Sequence, residues 1–283
     1  MTKMSIRGIS LNVKVVGKGY PLVLMHGGPG ADLYTLMAFK PCADQFTLIF
    51  YDHRCNGRSA GADVTSMTME NLTADADALR QALGFEKWAV LGHSFGGYVA
   101  MEYALRYPQN LSHLLLVDTG AENSWAQEKA PEELARRGFD PEIVDLCRRY
   151  FNGQIESKEM FPSLMKLSKA YNPYTNLSQL PQMLIWGLQT KLQPETFIYS
   201  ERHFLKGWTV RDRLGEIKLP TLVMSGRQDF IYPPEHQEEL AAAIPNARLV
   251  IIDRAGHNPH EEKPAETLNV VREFLADVKT SSI

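Results

Sequence analysis

The chain reads as an α/β fold: a mostly parallel central sheet flanked by helices, interrupted by a mostly helical insertion. Three observations predict it. Short apolar runs alternate with helical patterns in residues 1–120 and again in 211–283. Most of these runs end in a glycine-rich or polar cluster, such as His26 to Gly30 or Asp118 to Gly120. In residues 121–210 the alternation disappears, and prolines at 131, 141, 162, 173, 181 and 194 break the helical patterns. Strands that alternate with helices need crossovers, so the sheet is mostly parallel and covered on both faces. Function in such sheets gathers in the loops at the carboxyl ends of the strands. The expected division is a core from 1–120 and 211–283, with 121–210 as the insertion.

Taken in order, Ser5 to Val16 alternates around Gly8, Asn12 and Gly17, as an antiparallel hairpin does. Leu22 to Met25 is a short apolar strand running into His26-Gly27-Gly28-Pro29-Gly30. Phe46 to Tyr51 is the next strand, followed by the polar run Asp52 to Ser59. Thr68 to Leu83 has helical spacing, with Met69, Leu72, Ala76, Leu79 and Leu83 on one side and Gly84 suited to the C-cap. Trp88 to Leu91 and Leu114 to Val117 are further apolar strands, and Val99 to Tyr107 is helical. After the insertion come a strand at Thr221 to Met224, a helix at Pro234 to Ala243, a strand at Leu249 to Ile252 and a last helix at Pro264 to Val278. The tail, Lys279 to Ile283, is expected to fray.

Composition narrows the class. With 283 residues, 44% hydrophobic and 22% charged, the chain is an ordinary globular protein with ample core. A net charge of −3 gives no basic field for nucleic acid. The pairs Arg136-Arg137 and Arg148-Arg149 read as solvated helix faces. No apolar run reaches the ~20 residues that span a bilayer, so no membrane partner is expected. The N-terminus lacks the apolar stretch of a secretory signal, and Cys42, Cys55 and Cys147 have neither metal-like nor redox spacing. A reducing cytoplasm is the simplest setting.

The chemistry centres on Gly92-His93-Ser94-Phe95-Gly96, a Gly-x-Ser-x-Gly sequence between a strand and a helix. That context is the nucleophile elbow: a serine on a sharp turn, with glycines that let strand and helix approach. The turn lifts the Ser94 hydroxyl clear of the sheet and aims the Phe95 N–H at a nearby oxyanion. A serine hydroxyl needs a base to take its proton, and the base needs an orienting acid. His257, in Ala255-Gly256-His257-Asn258-Pro259, is the base candidate; Asp229, in Ser225-Gly226-Arg227-Gln228-Asp229, is the acid candidate. Asp118 also follows a strand and is the alternative acid, its plainer role being to cap the entry to the insertion. His260 is the alternative base, though it sits deeper in the loop before Pro264. His257 and His260 have no cysteine or third histidine nearby, so no metal is expected. His93 is expected to pack beside the elbow, and His53 to lie on a surface loop. The second oxyanion donor is expected at the Gly28 N–H, with His26 bracing its loop.

Together these residues resemble the α/β-hydrolase fold superfamily over nearly the whole chain outside the insertion. Within it, His26-Gly27-Gly28-Pro29-Gly30 looks like the signature of the proline iminopeptidases and their tricorn-interacting relatives, and Asp52-His53-Arg54-Cys55-Asn56-Gly57-Arg58-Ser59 is similar to that family's Asp-Gln-Arg-Gly-Cys-Gly-Arg-Ser stretch. The resemblance implies a helical cap over the site and removal of an N-terminal residue, often proline, from short peptides without a cofactor. It also implies a cap glutamate for the substrate's free amine; Ser200-Glu201-Arg202-His203-Phe204 resembles that cap motif, which makes Glu201 the candidate, with Glu195 behind it. Trp208 and the other cap tryptophans, Trp125 and Trp186, are candidates to line an apolar acyl or prolyl pocket, the alternative being core packing, the commoner use of aromatic residues. Two departures stand out. The elbow of the family's larger members is Gly-Gly-Ser-Trp-Gly, whereas Gly-His-Ser-Phe-Gly is also common in esterases, lactonases and carbon–carbon bond hydrolases. Asn56 replaces a glycine, which asparagine's tolerance of a left-handed turn accommodates. The leading expectation is a serine aminopeptidase on short peptides. An esterase or lactonase of small molecules is the alternative, and a non-catalytic ligand-binding homologue the rival from another class.

Overall fold

The computed structural model describes residues 1–175 and 178–278; the expected frayed tail, 279–283, lies outside them. Eight strands form one sheet in the order β1-β2-β4-β3-β5-β6-β7-β8. They are β1 (Thr2–Ile6), β2 (Ile9–Val16), β3 (Tyr20–Met25), β4 (Phe46–Tyr51), β5 (Trp88–His93), β6 (Leu111–Val117), β7 (Thr221–Gly226) and β8 (Ala247–Ile252). β1 pairs with β2 and β2 with β4 antiparallel; every other pairing is parallel. The interior strands β3, β5, β6 and β7 are buried almost throughout, so they read as unbroken apolar runs rather than alternating ones.

Alternation along each strand divides the core between the two faces. On one face, Leu22, Leu24, Leu91, Leu115 and Leu222 meet Leu268 and Val271 and the segment from Leu33 to Cys42. On the other, Val23, Met25, Val90, Leu114 and Val223 meet Leu72, Leu79, Val99 and Leu240. The covering helices of this second face are α1 (Met69–Ala82), α2 (Phe95–Arg106) and, further along, the helix from Pro234. The 3-10 segment Leu33–Asp44 has no periodic signal in the sequence, because such turns are short and need no amphipathic repeat.

Between β6 and β7 the chain forms α3 (Ser124–Arg136), α4 (Pro141–Phe151), α5 (Met160–Tyr171), α6 (Leu180–Gln189) and α7 (Pro194–Tyr199), then a π-helical turn at Ser200–Phe204. Pro141, Pro181 and Pro194 stand in first turns, where the missing N–H costs nothing, so they start helices rather than break them. The insertion leaves and returns side by side: Val210 N–H donates to Ala121 O at 2.8 Å and Asn123 N–H to Trp208 O at 3.1 Å. The chain ends with α8 (Pro234–Ala243), α9 (Pro259–Glu262) and α10 (Pro264–Phe274). Among the described residues no helix is long and apolar enough to cross a membrane.

Candidate active site

Ser94 stands between β5 and α2 with φ 53° and ψ −123°. A non-glycine residue there costs on the order of 1–3 kcal/mol and persists only when its surroundings hold it. Three bonds do so. Ser94 N–H donates to Val117 O at 3.0 Å, while Ser94 O accepts Gly97 N–H at 2.8 Å and the Thr119 hydroxyl at 2.7 Å. Gly96 is required sterically, since a Cβ there would stand 1.9 Å from Met25 O. The serine is half-buried on a cavity wall. Phe95 opens α2, so its N–H is among the amides a helix leaves without an internal partner.

Asp229 follows β7 and His257 follows β8, and both are buried. His257 Nδ1–H donates to Asp229 Oδ2 at 2.9 Å, and Asp229 Oδ1 accepts Ile231 N–H at 2.8 Å. Burial alone would raise the Asp229 carboxyl; the charge and hydrogen bond of His257, with the Ile231 and Tyr232 amides, outweigh it and hold it below the usual carboxylate range. The His257 backbone is pinned on both sides. Its N–H donates to Tyr171 O at 2.9 Å, and its carbonyl accepts His93 Nε2–H at 2.9 Å. His260 bonds Thr35 O through Nε2 and stacks on Phe39, away from Asp229. Asp118 lies beside Asp229 rather than replacing it. Its Oδ1 accepts the Ser225 hydroxyl and Gly226 N–H, both at 2.9 Å. Asp118, Asp229 and His257 offer ligand atoms within 4.8 Å of one another, a grouping built from the hydrogen-bonded acid–base pair itself.

The loop after β3 places Gly28 (φ +59°) on the same cavity. His26 braces it: Nδ1–H donates to Gly27 O at 3.0 Å, and Nε2 accepts His53 N–H at 3.1 Å. His53 is therefore not a surface histidine. It is 1% exposed, wedged among the rings of His26, Tyr51 and Phe95, because the 52–59 loop folds under the site around buried Asp52. Asp52 accepts Leu33 N–H, Arg58 N–H and the Asn12 amide at 2.9, 2.7 and 3.0 Å. Asn56 also differs from expectation. The left-handed residues in its loop are Cys55 and Gly57. Asn56 acts through its side chain instead, accepting Gly30 N–H at 2.5 Å and donating to Arg54 O at 2.6 Å.

The cavity has a volume of ≈ 300 Å³. Ser94, Phe95, Gly28 and His257 stand on its wall; Tyr150, Phe151, Phe197 and Leu205 give it an apolar side, and Asn123, Tyr98, Tyr232 and Glu201 a polar corner. Glu201 lies in the π-helical turn and is buried. Its Oε2 accepts the Asn123 amide at 3.1 Å. Burial pushes its carboxyl up to about 8, against the pull of its Asn123 and Gln127 hydrogen bonds. Glu195 is exposed instead. Trp208 lies one layer back from the wall. It stacks on Tyr98 at 4.2 Å between centroids and donates Nε1–H to Glu102 at 3.1 Å. Trp125 packs on His236, and Trp186 on the core behind the Leu33–Asp44 segment. Aromatic bulk in the insertion thus went to packing, while smaller rings line the cavity. Tyr98, Tyr232 and Asn123 had no part in the sequence reading. Tyr98 had a signal, since it stands in the first turn of α2, four residues after Ser94.

The model of the alpha/beta hydrolase fold matches residues 20–264. The chain is 28% identical to proline iminopeptidase PfmaB of Pestalotiopsis fici, covering 96% of this chain and 98% of that one. It is also 28% identical to 2-hydroxy-6-oxo-6-phenylhexa-2,4-dienoate hydrolase of Burkholderia cepacia, over 98% and 95% of the two chains. Among solved structures, a thermophilic esterase from Thermogutta terrifontis is 28% identical over 98% of both chains, with a TM-score of 0.73. Three relatives with three chemistries lie at one level of identity, so likeness fixes the family and leaves the substrate to the site. The sheet order, the Ser94 turn and the match over most of the length agree: this chain belongs to the alpha/beta hydrolase fold family.

Proposed function

We propose that the chain is a serine hydrolase of the aminopeptidase type, acting on the N-terminal residue of short peptides. In this reading residues 1–120 and 211–283 are the catalytic core, and 121–210 the cap that closes over it. His257 takes the Ser94 proton as Ser94 Oγ attacks the scissile carbonyl, and Asp229 holds the imidazole through Nδ1. The N–H groups of Phe95 and Gly28 receive the developing oxyanion, each worth about 3 kcal/mol at the transition state. The amine leaves with the proton from His257, and water then releases the acyl group from Ser94 by the same steps in reverse.

The observation that carries the peptide reading is Glu201. A buried carboxyl on a cavity wall, raised to about 8 by burial, is suited to give up its proton and pair with a cation that enters with the substrate. An ester or lactone has no need of it. The apolar wall at Tyr150, Phe151, Phe197 and Leu205 suits a prolyl or other apolar side chain.

The test uses three probes: a prolyl arylamide, a short p-nitrophenyl ester and an acyl-homoserine lactone, each with wild type and Ser94→Ala. The expected outcome is arylamide cleavage that falls about a thousandfold or more in Ser94→Ala and vanishes when the probe's amine is acylated. Ester or lactone turnover without arylamide cleavage would replace the peptide reading with an esterase. Turnover unchanged by Ser94→Ala would remove the serine mechanism.

A further inference from the structure

Two buried carboxyl groups meet behind the candidate triad, and the hydrogen-bond donors around them are shared unequally. Asp229 has a donor on each oxygen, Ile231 N–H on Oδ1 and His257 Nδ1–H on Oδ2. Asp118 has both of its donors, Ser225 Oγ–H and Gly226 N–H, on Oδ1. Its Oδ2 is buried with no donor aimed at it. The Asp118 and Asp229 carboxyls lie side by side, with an oxygen of one within 4.8 Å of an oxygen of the other. Two carboxylates in contact in a dry interior do not both ionise; one proton is shared between them. The group rich in donors keeps the charge, and the group with the bare oxygen keeps the proton.

We infer that Asp118 is a resident carboxylic acid whose Oδ2–H donates to Asp229, making it a positioning residue for the acid of the triad. This rests on the serine-hydrolase reading of Ser94, His257 and Asp229. No bond to substrate is involved: the proton stays on Asp118 through the cycle and fixes the carboxylate that orients His257. Burial first, and then the neighbouring Asp229 charge, raise Asp118 well above the usual carboxylate range, which agrees with the donor count. The backbone agrees as well. Asp118 has φ +44°, a left-handed conformation that aspartate and asparagine tolerate better than other side chains with a Cβ. Asparagine reproduces the neutral acid almost atom for atom: Oδ1 still accepts from Ser225 and Gly226, and Nδ2–H donates where the acid proton did.

Asp118→Asn and Asp118→Ala are therefore compared by pH–rate profile and by infrared difference spectroscopy, with Ser94→Ala and Asp229→Ala in the same assay. The other titratable and charged groups facing this pair are His93, His260 and Tyr171 around His257, Tyr232 and His236 beside Asp229, Glu262 from α9, and Arg137 on the Asp229 carbonyl. All are common to the variants, so differences between them belong to Asp118. Asp118→Asn is expected to keep kcat within about threefold, with the acid limb unmoved, because every hydrogen bond is replaced. Asp118→Ala is expected to lose tenfold or more in kcat, roughly one lost charge-assisted bond, with the acid limb moved to higher pH as a less restrained Asp229 makes His257 more basic. The wild-type minus Asp118→Asn spectrum at neutral pH is expected to show one carboxylic-acid C=O band and no carboxylate band. A carboxylate band there, or an acid limb displaced downward in Asp118→Asn as loss of a negative charge would displace it, overturns the inference. So does Asp118→Asn failing as badly as Asp118→Ala. If Ser94→Ala or Asp229→Ala keeps wild-type turnover, it is the triad reading that fails, and the infrared band alone decides the state of Asp118.

Discussion

At Glu201, burial and the Asn123 amide leave a carboxyl with strong reason to meet a cation in the cavity. Glu201→Gln keeps the shape and an acceptor for Asn123 while removing the charge. It is expected to raise KM for a free-amine arylamide at least about tenfold, the usual scale for losing one side of a buried charge pair. The p-nitrophenyl ester is expected to change little. Initial rates on the two probes check this, and equal effects on both would make Glu201 a packing residue. Trp208 gives the contrast at the same scale. It supports Tyr98 from behind, so its loss would reach the cavity only through that ring. Cys55 stands apart from the chemistry, its thiol contacting Asp63 O at 3.3 Å and pushed up by burial. A residue's type and neighbours in sequence mark it as able to act. Whether it faces the cavity or the layer behind depends on the rotation of its helix, which no local pattern in an irregular insertion fixes.

The elements tell a related story, in which the insertion grips the loops after β3, β4, β7 and β8. Gln193 N–H donates to Gly30 O at 2.7 Å, its side chain to Gly57 O at 2.8 Å, and the Thr196 hydroxyl to Cys55 O at 2.7 Å. The end of α5 meets the His257 loop through Tyr171 O, and Glu262 accepts Tyr174 N–H at 2.5 Å. The acid loop is held by Arg137, just past the end of α3, which donates to Gln228 O at 2.6 Å and Asp229 O at 2.9 Å. Glu133, one turn back, fixes that guanidinium at 2.6 Å. Arg136, its sequence neighbour, is exposed as expected, so the paired bases divide between solvent and site. Periodicity could not separate them, because the partners of Arg137 are carbonyls more than ninety residues away. Arg137→Met is expected to lower kcat about tenfold with KM nearly unchanged, since a small loss of alignment in the proposed triad costs that much. Arg137→Lys is expected not to rescue it, because a single ammonium does not reproduce a planar fork spanning two carbonyls. Steady-state kinetics of the two variants decide the matter; a normal kcat in Arg137→Met would reduce the clamp to a surface contact.

Across the whole molecule, what the sequence made legible was whatever short-range physics writes locally. The apolar strand runs, the Gly-x-Ser-x-Gly turn and the polar clusters after β7 and β8 each lie within a few residues, and the structure brings Asp229 and His257 to 2.9 Å. Illegible were the long-range polar contacts: His53 beneath the elbow, Asn56 on Gly30, and Asp118 against Asp229. These buried groups give the fold a pH signature. His26, His53, His93 and His113 are lowered by burial, and His236 and His260 are lowered to about 4. Below the ordinary histidine value of 6.5 the unfolded chain binds protons that the folded chain refuses, so stability rises with pH from about 4 to 6.5. Glu201 works in the opposite sense. Raised to about 8 from 4.5, it binds a proton in the folded state that the unfolded chain has already released, so its contribution falls as pH rises through that window. Glu261, raised to about 7, adds to the fall, and Asp118, raised well above its ordinary value, extends it. Between 4.5 and 6.5 the six histidines oppose the carboxyls; from 6.5 to 8 the raised carboxyls dominate the slope among the described residues. The melting temperature is therefore expected to peak near pH 6.5 and to decline toward 8 and beyond. Glu201→Gln, which cannot ionise, is expected to flatten that decline and to steepen the rise between 4.5 and 6.5, where Glu201 no longer opposes the histidines. Thermal melts of the two proteins across this range check it. A wild-type curve that is flat above pH 6.5, or one that Glu201→Gln fails to change, would mean that Glu201 is solvated in the folded state, and the proposed amine-binding corner would lose its physical basis.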